Sequence, residues 1–142
     1  MVSISQKRTT DRRAKASGEV RFNEDSWRQL VESDFALKKG DLISTVKLAG
    51  IMGAKQTPNL IPLCHPIALE KIDVKIEIRE SGFLITSEVS MSGKTGVEME
   101  ALTAVSVACL TVYDMCKALS HDIQIQNIQL EHKSGGKRDF TR

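Results

Sequence analysis

Two charged residues near the end of an apolar stretch carry the clearest chemical signal in the chain. Residues 95–119 read TGVEMEALTAVSVACLTVYDMCKAL, the longest helix-forming run, apolar most of the way round as a buried helix is. Asp114 and Lys117 lie three positions apart near its end, which makes them neighbours on the helix surface. The helix dipole disfavours an aspartate there, and Val112, Tyr113 and Met115 around it predict a site outside bulk water. A carboxylate and an amine held together in such a setting are the groups from which proton transfer is built. The plainer alternative is an exposed ion pair of small energetic value.

Glu98 and Glu100 occupy the first turns of the same helix. Thr95-Gly96-Val97-Glu98 has the form of a capping box, which gives Glu98 the task of reaching back to the cap. Glu100 has no such task. It is either a solvated first-turn acid favoured by the dipole or a ligand-binding group. Helical geometry sets Glu100 and Asp114 within about 40° on the wheel but about 21 Å apart along the axis. One chain cannot easily bring both to one reacting group. Ala101, Ala104, Ala108 and Thr111 form a small-residue seam that would admit an antiparallel copy of the helix, so a site shared between subunits is expected.

Further candidates lie outside this helix. LIPLCHPIA (Leu60 to Ala68) holds two prolines, which exclude a regular helix and disfavour a central strand. An ordered, partly buried loop is expected, with Cys64 and His65 on it. His65 reads as a metal ligand, a general acid or base, or a hydrogen-bonded structural histidine. No C-x-x-C or H-x-x-x-H spacing exists, and His121 and His132 are isolated, so no metal site is expected. Ordered loops on a rigid scaffold are where sites sit. Among the cations Arg12, Lys39, Lys55, Lys94, Lys117, Lys133 and Lys137, most read as solvated. Lys39 and Lys133 lie beside glycines, where backbone amides can also meet an anion. Ser92-Gly93-Lys94-Thr95 imitates the end of a P-loop, but Glu88 stands where the motif needs glycine.

The elements that must position these residues follow from patterning. The 142 residues predict one compact domain spanning 1–142, with about the first ten residues flexible. A net charge of +2 is too small to indicate a nucleic-acid or membrane partner. No apolar run is expected to cross a bilayer, and without an apolar leader the expected location is the cytoplasm. Three cysteines show no paired spacing. Cys109 and Cys116 fall about 10 Å apart on one helix, too far to bridge.

A short strand is expected over 16–22, and a helix from the Ser26-Trp27-Arg28-Gln29 capping box to Glu32 or beyond. Lys39-Gly40-Asp41 breaks it, with Asp41 as N-cap of a second helix over 42–55 that Thr57-Pro58-Asn59 ends. Small residues Ala49, Gly50 and Gly53 on that helix predict close packing on another backbone. Alternation over 72–78 and 83–91, joined at Ser81-Gly82, predicts a β-hairpin. The long helix should end near Leu119, followed by a strand over 123–130. The order β-α-α-β-β-α-β predicts an α+β, ferredoxin-like fold, an antiparallel sheet with helices packed on one face.

Lys39-Gly40-Asp41, LIPLCHP (Leu60 to Pro66), GKTGVEMEALTAVSVACLTVYDMCKA (Gly93 to Ala118) and KSGGK (Lys133 to Lys137) together closely resemble the cyclic pyranopterin monophosphate synthase family. This is accessory protein C of molybdenum cofactor biosynthesis, and the resemblance runs from about Thr10 to Lys137. It implies a phosphorus–oxygen lyase that converts (8S)-3′,8-cyclo-7,8-dihydroguanosine 5′-triphosphate to cyclic pyranopterin monophosphate and diphosphate. By motif, Asp114 is the catalytic aspartate and Lys117 its partner, with Lys39 a third catalytic residue. Leu63, Cys64, His65, Met99 and Glu100 correspond to substrate-binding positions. Lys133 and Arg12, together with Lys39, correspond to basic residues around the phosphates. The resemblance also implies a homohexamer, a trimer of dimers, with no cofactor held by the protein, although Mg²⁺ could accompany the triphosphate. It implies no nucleic-acid or membrane partner. Where the family often continues KSGGK with Ser-Gly, this chain has Arg138-Asp139, which leaves the path of the tail open.

The residue types suit that chemistry. Opening the guanine ring and closing the pterin requires proton transfers by groups with shifted pKa values. Closing the cyclic phosphate requires a substrate hydroxyl to attack the α-phosphate as diphosphate leaves, with cations steadying the growing charge. A nucleotide- or RNA-binding module is the competing reading, weakened by 4% aromatic content and no aromatic pair on an expected strand face. A purely structural subunit would require Asp114 to be buried, paired and far from any cleft.

Overall fold

The computed structural model describes residues 1–142. In chain order the elements are β1 (Thr10–Arg21), α1 (Glu24–Glu32), β2 (Ala36–Leu37), β3 (Gly40–Asp41), α2 (Leu42–Leu60), β4 (Lys71–Arg79), β5 (Gly82–Gly93), α3 (Glu98–Cys116), β6 (Gln124–Ser134) and β7 (Phe140–Thr141). Five strands form one antiparallel sheet in the order β4-β5-β1-β6-β7, and β2 and β3 make a separate small hairpin. Setting β7 and that hairpin aside, the four main strands stand in the order second-third-first-fourth. That is the expected ferredoxin-like arrangement.

Alternation along β1 turns Ala14, Ala16 and Val20 to the buried face, where Phe83, Ile85 and Val89 of β5 and Val105, Ala108 and Val112 of α3 complete one core. Each fully buried Val, Ile or Phe contributes about 1.5–3 kcal/mol. The small residues of α2 meet the backbone of α3. A Cβ on Gly50 would stand 3.2 Å from the Ala104 carbonyl oxygen, and one on Gly53 3.3 Å from that of Thr103.

Several expected boundaries move. β1 begins at Thr10, because its polar first residues pair with Gly93 and its neighbours on β5. α1 is capped by Asn23, whose side-chain oxygen accepts from Ser26 N–H at 3.0 Å. Ser26 itself lies inside the helix, and its hydroxyl donates to Asn23. Asp41 caps α2 as expected, accepting from Ser44 N–H at 2.7 Å. α2 continues through Pro58 to Leu60. A proline this near the end removes one i→i−4 bond, and Ile61 N–H still closes the turn on Thr57 O at 2.9 Å.

The Thr95 capping box does not form. α3 starts at Glu98 with Val97 at the cap and no side-chain cap bond. The small-residue seam of α3 serves the monomer: Ala101, Ala104 and Ala108 are fully buried within the chain, so the surface expected to meet a second copy faces this chain's own sheet and α2. By length and composition alone α3 would be apolar enough to cross a membrane, with mean hydropathy 1.3, but 56% of that window is buried inside the fold, as in a core helix. The three cysteines are free thiols. The tail after Lys137 turns back, and Phe140–Thr141 pairs with Lys133 and His132.

Candidate active site

Both ends of α3 carry a cluster of functional side chains. At the N-terminal end, β1, β5, β6 and the turn after β6 converge on the first residues of the helix. Arg12 on β1 donates from Nε to Gly93 O at 3.3 Å. Lys133 on β6 donates from Nζ to Glu98 at 3.0 Å. This pair explains why Glu98 does not cap its own helix: a half-buried carboxylate gains more from a charged partner than from a backbone amide. Gly135 holds the turn with φ +82°, and a Cβ there would fall 1.8 Å from Asp11 O. Thr10 Oγ1 donates to Gly135 O at 2.7 Å.

Together these residues line a cleft of about 620 Å³ that contains Lys7, Arg8, Arg12, Lys94, Lys133 and Lys137, with Glu98 as its only carboxylate. Backbone at a helix N-terminus adds to that positive field. Such a cleft suits a polyanion.

Beside it, sharing Thr95, Gly96 and Glu98, is a hollow of about 340 Å³ lined by Leu63, Cys64, His65, Ile67, Met99 and Glu100. The expected loop is irregular from Ile61 to Ala68, while Leu60, expected within it, closes α2. Leu63 is 71% exposed, whereas Cys64 and His65 are half-buried. His65 Nε2 donates to Val2 O at 2.9 Å, since a carbonyl only accepts. Glu100 is buried, only 3% exposed. The solvated alternative for Glu100 is thereby excluded. Burial pushes its pKa above the ordinary glutamate value, and the nearby Glu98 charge adds to the rise. Burial raises the Cys64 thiol in turn, with the Glu100 charge as second cause.

At the C-terminal end of α3, Asp114 is held between two lysines. Lys117 Nζ is 2.8 Å from Oδ1 and Lys39 Nζ is 2.5 Å from Oδ2. Lys39 also donates to the Asp114 backbone carbonyl at 3.1 Å, so it caps the negative end of the helix. The bond from Lys117, then that from Lys39, holds the Asp114 carboxyl down at about 2. The same contact raises Lys117. The carboxylate is 53% exposed, which corrects the expectation that its apolar sequence neighbours would shield it. Val112 and Met115 turn into the core while Asp114 points out.

The ten candidate residues thus fall into two groups. Arg12, Leu63, Cys64, His65, Met99, Glu100 and Lys133 gather at one end of α3; Lys39, Asp114 and Lys117 gather at the other. At 1.5 Å per residue, about 21 Å of helix separates Glu100 from Asp114. Lys94 and Lys137 join the cleft and were legible only as members of a scattered basic set. The pairing of Glu98 with Lys133 has no local signal. No three His, Cys, Asp or Glu side chains converge as a ligand set.

A ferredoxin-like chain with a polyanion cleft beside a buried acid, and a carboxylate clamped by lysines, has the equipment of an enzyme for a phosphorylated small molecule. The family model described as the MoaC family matches residues 1–136, and the chain belongs to that family. A protein of Methylobacterium sp. (strain 4-46) named cyclic pyranopterin monophosphate synthase is 52% identical over 139 residues, 96% of this chain and 86% of that protein. One of the same name from Roseiflexus sp. (strain RS-1) is 49% identical over 144 residues, 99% of this chain and 90% of that protein. Molybdenum cofactor biosynthesis protein 1 of Drosophila melanogaster is 51% identical over 144 residues. That alignment takes in all of this chain but spans only 25% of the length of the fly protein.

Proposed function

We propose that the chain is an enzyme of molybdenum cofactor biosynthesis that converts (8S)-3′,8-cyclo-7,8-dihydroguanosine 5′-triphosphate to cyclic pyranopterin monophosphate and diphosphate. The observation that carries this reading is the cleft of six cations opening into the Cys64–His65–Glu100 hollow. It offers a triphosphate and a purine-sized group adjoining places. Relatives near half identity that cover most of the chain bear the name of this synthase.

In this reading Arg12 and Lys133, with Lys94 and Lys137, hold the phosphates. They steady the negative charge that builds on the leaving diphosphate while a substrate hydroxyl attacks the α-phosphorus. Leu63, Cys64, His65, Met99 and Glu100 bind the base and sugar. The two carboxyls have pKa values pushed apart, Glu100 upward by burial and Asp114 downward by its lysines. That divergence supports reading Glu100 as proton donor and Asp114, with Lys117 and Lys39, as the ionised partner in ring opening and closure. In this reading the chemistry requires no cofactor held by the protein, and Mg²⁺ could accompany the triphosphate.

The site is completed across a subunit boundary, Asp114 of one subunit serving Glu100 of another, since one α3 cannot place both at one reacting group. Leu48, Met52 and Leu110 stand 61%, 45% and 60% exposed on the helices, an apolar surface of the kind subunits bury. The working form is a cytoplasmic homohexamer, a trimer of dimers. The direct test supplies the cyclised guanosine triphosphate derivative and follows cyclic pyranopterin monophosphate and diphosphate. Equal formation of both by wild type, and loss of both with Asp114→Asn, is expected; no product from wild type overturns the reading.

A further inference from the structure

We infer that Phe35 is a positioning residue for Lys39: its ring anchors the β2–β3 hairpin so that the lysine reaches Asp114. This inference rests on the proposed role of Asp114 and Lys39.

The chain leaves α1 through a turn that few sequences adopt without glycine. Asp34 has φ +51° and Phe35 φ +60°, two consecutive non-glycine residues in the left-handed region. For a bulky residue this is a true outlier, retained only where the surroundings impose it. Asp34 N–H donates to Val31 O at 3.0 Å and Phe35 N–H to Leu30 O at 3.2 Å, the paired bonds of a Schellman end. Such ends ordinarily place glycine in the left-handed position.

What imposes the conformation is an aromatic cluster. The Phe35 ring lies 6.2 Å from Trp27 and 5.8 Å from Phe83, which themselves stand 5.1 Å apart edge to face. On its other side Phe35 closes the hairpin: its carbonyl accepts from Leu42 N–H at 3.1 Å. Between those two points run β2 and β3, of only two residues each, paired Ala36 to Asp41 and Leu37 to Gly40.

Lys39 stands at the exposed tip of this hairpin, and Lys38 and Gly40 beside it are exposed too. Nothing at the tip confines the lysine except its bonds to Asp114. A hairpin this short is not stable alone. The apolar side chains of Phe35 and Leu37 are packed against the core and are what tie the tip to the rest of the molecule. Phe35 makes the stronger tie, because it fixes both the turn out of α1 and the base of the hairpin. The groups facing Asp114 are Lys39 from the hairpin and Lys117 from the end of α3, with Tyr113 next to Lys117.

The test uses full-length Phe35→Leu and Phe35→Tyr proteins, Lys39→Ala, and the double variant Phe35→Leu/Lys39→Ala. Each is assayed for turnover against pH, with folding followed by circular dichroism and by emission of Trp27, the single tryptophan. Phe35→Leu is expected to lower kcat about tenfold, the scale of a small misplacement of a catalytic group. It should also move the acid limb of the profile upward, as Asp114 loses one of its lysines. Phe35→Tyr, which keeps the ring, should restore both. The double variant should be no slower than Lys39→Ala alone, because the two substitutions remove one interaction. Full turnover by folded Phe35→Leu, or losses that multiply in the double variant, would overturn the inference. If Lys39→Ala itself turns over at the wild-type rate, the proposed site fails instead, and the inference with it.

Discussion

Lys133 Nζ lies 3.0 Å from Glu98 Oε1, with about a third of each side chain exposed. Glu98 is the one carboxylate in a cleft of six cations, and its partner is one of the residues proposed to hold phosphate. An anion entering the cleft therefore competes with Glu98 for Lys133. Glu98→Gln removes the competing charge and keeps the shape. Diphosphate is expected to bind roughly threefold more tightly to Glu98→Gln, the worth of a partly exposed pair. The gain should shrink at high salt as the interaction is screened. Titration calorimetry at two ionic strengths measures both; equal or weaker affinity would remove Glu98 from the cleft's electrostatics.

That pair also marks the limit of what the sequence discloses. Strand alternation in 72–78 and 83–91 and the apolar run of α3 are periodic signals, and the sheet and long helix were legible from them. Asp114 and Lys117 were legible as helical neighbours because three residues separate them. Lys39, 75 positions from Asp114, arrives through tertiary structure alone. The capping-box pattern matched at Ser26 and at Thr95, and neither forms, since Asn23 takes one cap and Lys133 takes the Glu98 carboxylate. The alanines of α3 suit a seam for a second copy, but small residues allow close approach to any backbone. Here that backbone is α2 and the sheet. The exposure of Asp114 was missed for a related reason: three apolar sequence neighbours do not share its face of the helix.

If the site is shared, two inactive proteins should complement each other. Glu100→Ala retains the Asp114 end of α3, and Asp114→Ala retains the Glu100 end. Mixed under conditions that exchange subunits, they should form some sites with both residues intact and recover a fraction of wild-type turnover, roughly a quarter for random pairing into dimers of two equivalent sites. Subunit exchange is verified separately, by mass or by a fluorescent label. No recovery after verified exchange would place both residues in one chain's site.

Glu100 makes stability depend on pH in a direction opposite to that of most carboxylates. Its folded-state pKa is raised above the ordinary 4.5, so between those two values the folded state binds the proton more tightly than the unfolded state. Stability from this group is fully present below about 4.5 and is lost as pH rises through the folded pKa. Glu100→Gln, neutral at every pH, should therefore raise Tm at pH 7.5 by about 3 °C, the scale of a 1 kcal/mol change in a chain this size. The difference should vanish at pH 4. Thermal melts across that range test it, and a Tm gain that persists unchanged at pH 4 would point to packing rather than ionisation.

Gly53 sets two effects of opposite sign against each other. In the interior of an exposed helix, Gly→Ala stabilises by about 1 kcal/mol through propensity. At Gly53 the added Cβ would stand 2.8 Å from Val107 Cβ and 3.3 Å from the Thr103 carbonyl oxygen. Neither is the free end of a flexible side chain, so α2 must move away from α3, and overpacking of this kind costs about 1–3 kcal/mol. The cost exceeds the propensity gain, and Gly53→Ala should lower Tm by about 2–6 °C. A control is available on the same helix: Lys47 is exposed, and Lys47→Ala should leave Tm within about 1 °C. Because α2 follows directly on the hairpin that carries Lys39, and α3 carries Asp114, the forced separation should also lower turnover in the protein that remains folded. A Gly53→Ala protein more stable than wild type would show that the two helices are free to part, and that their contact does not fix the distance between Lys39 and Asp114.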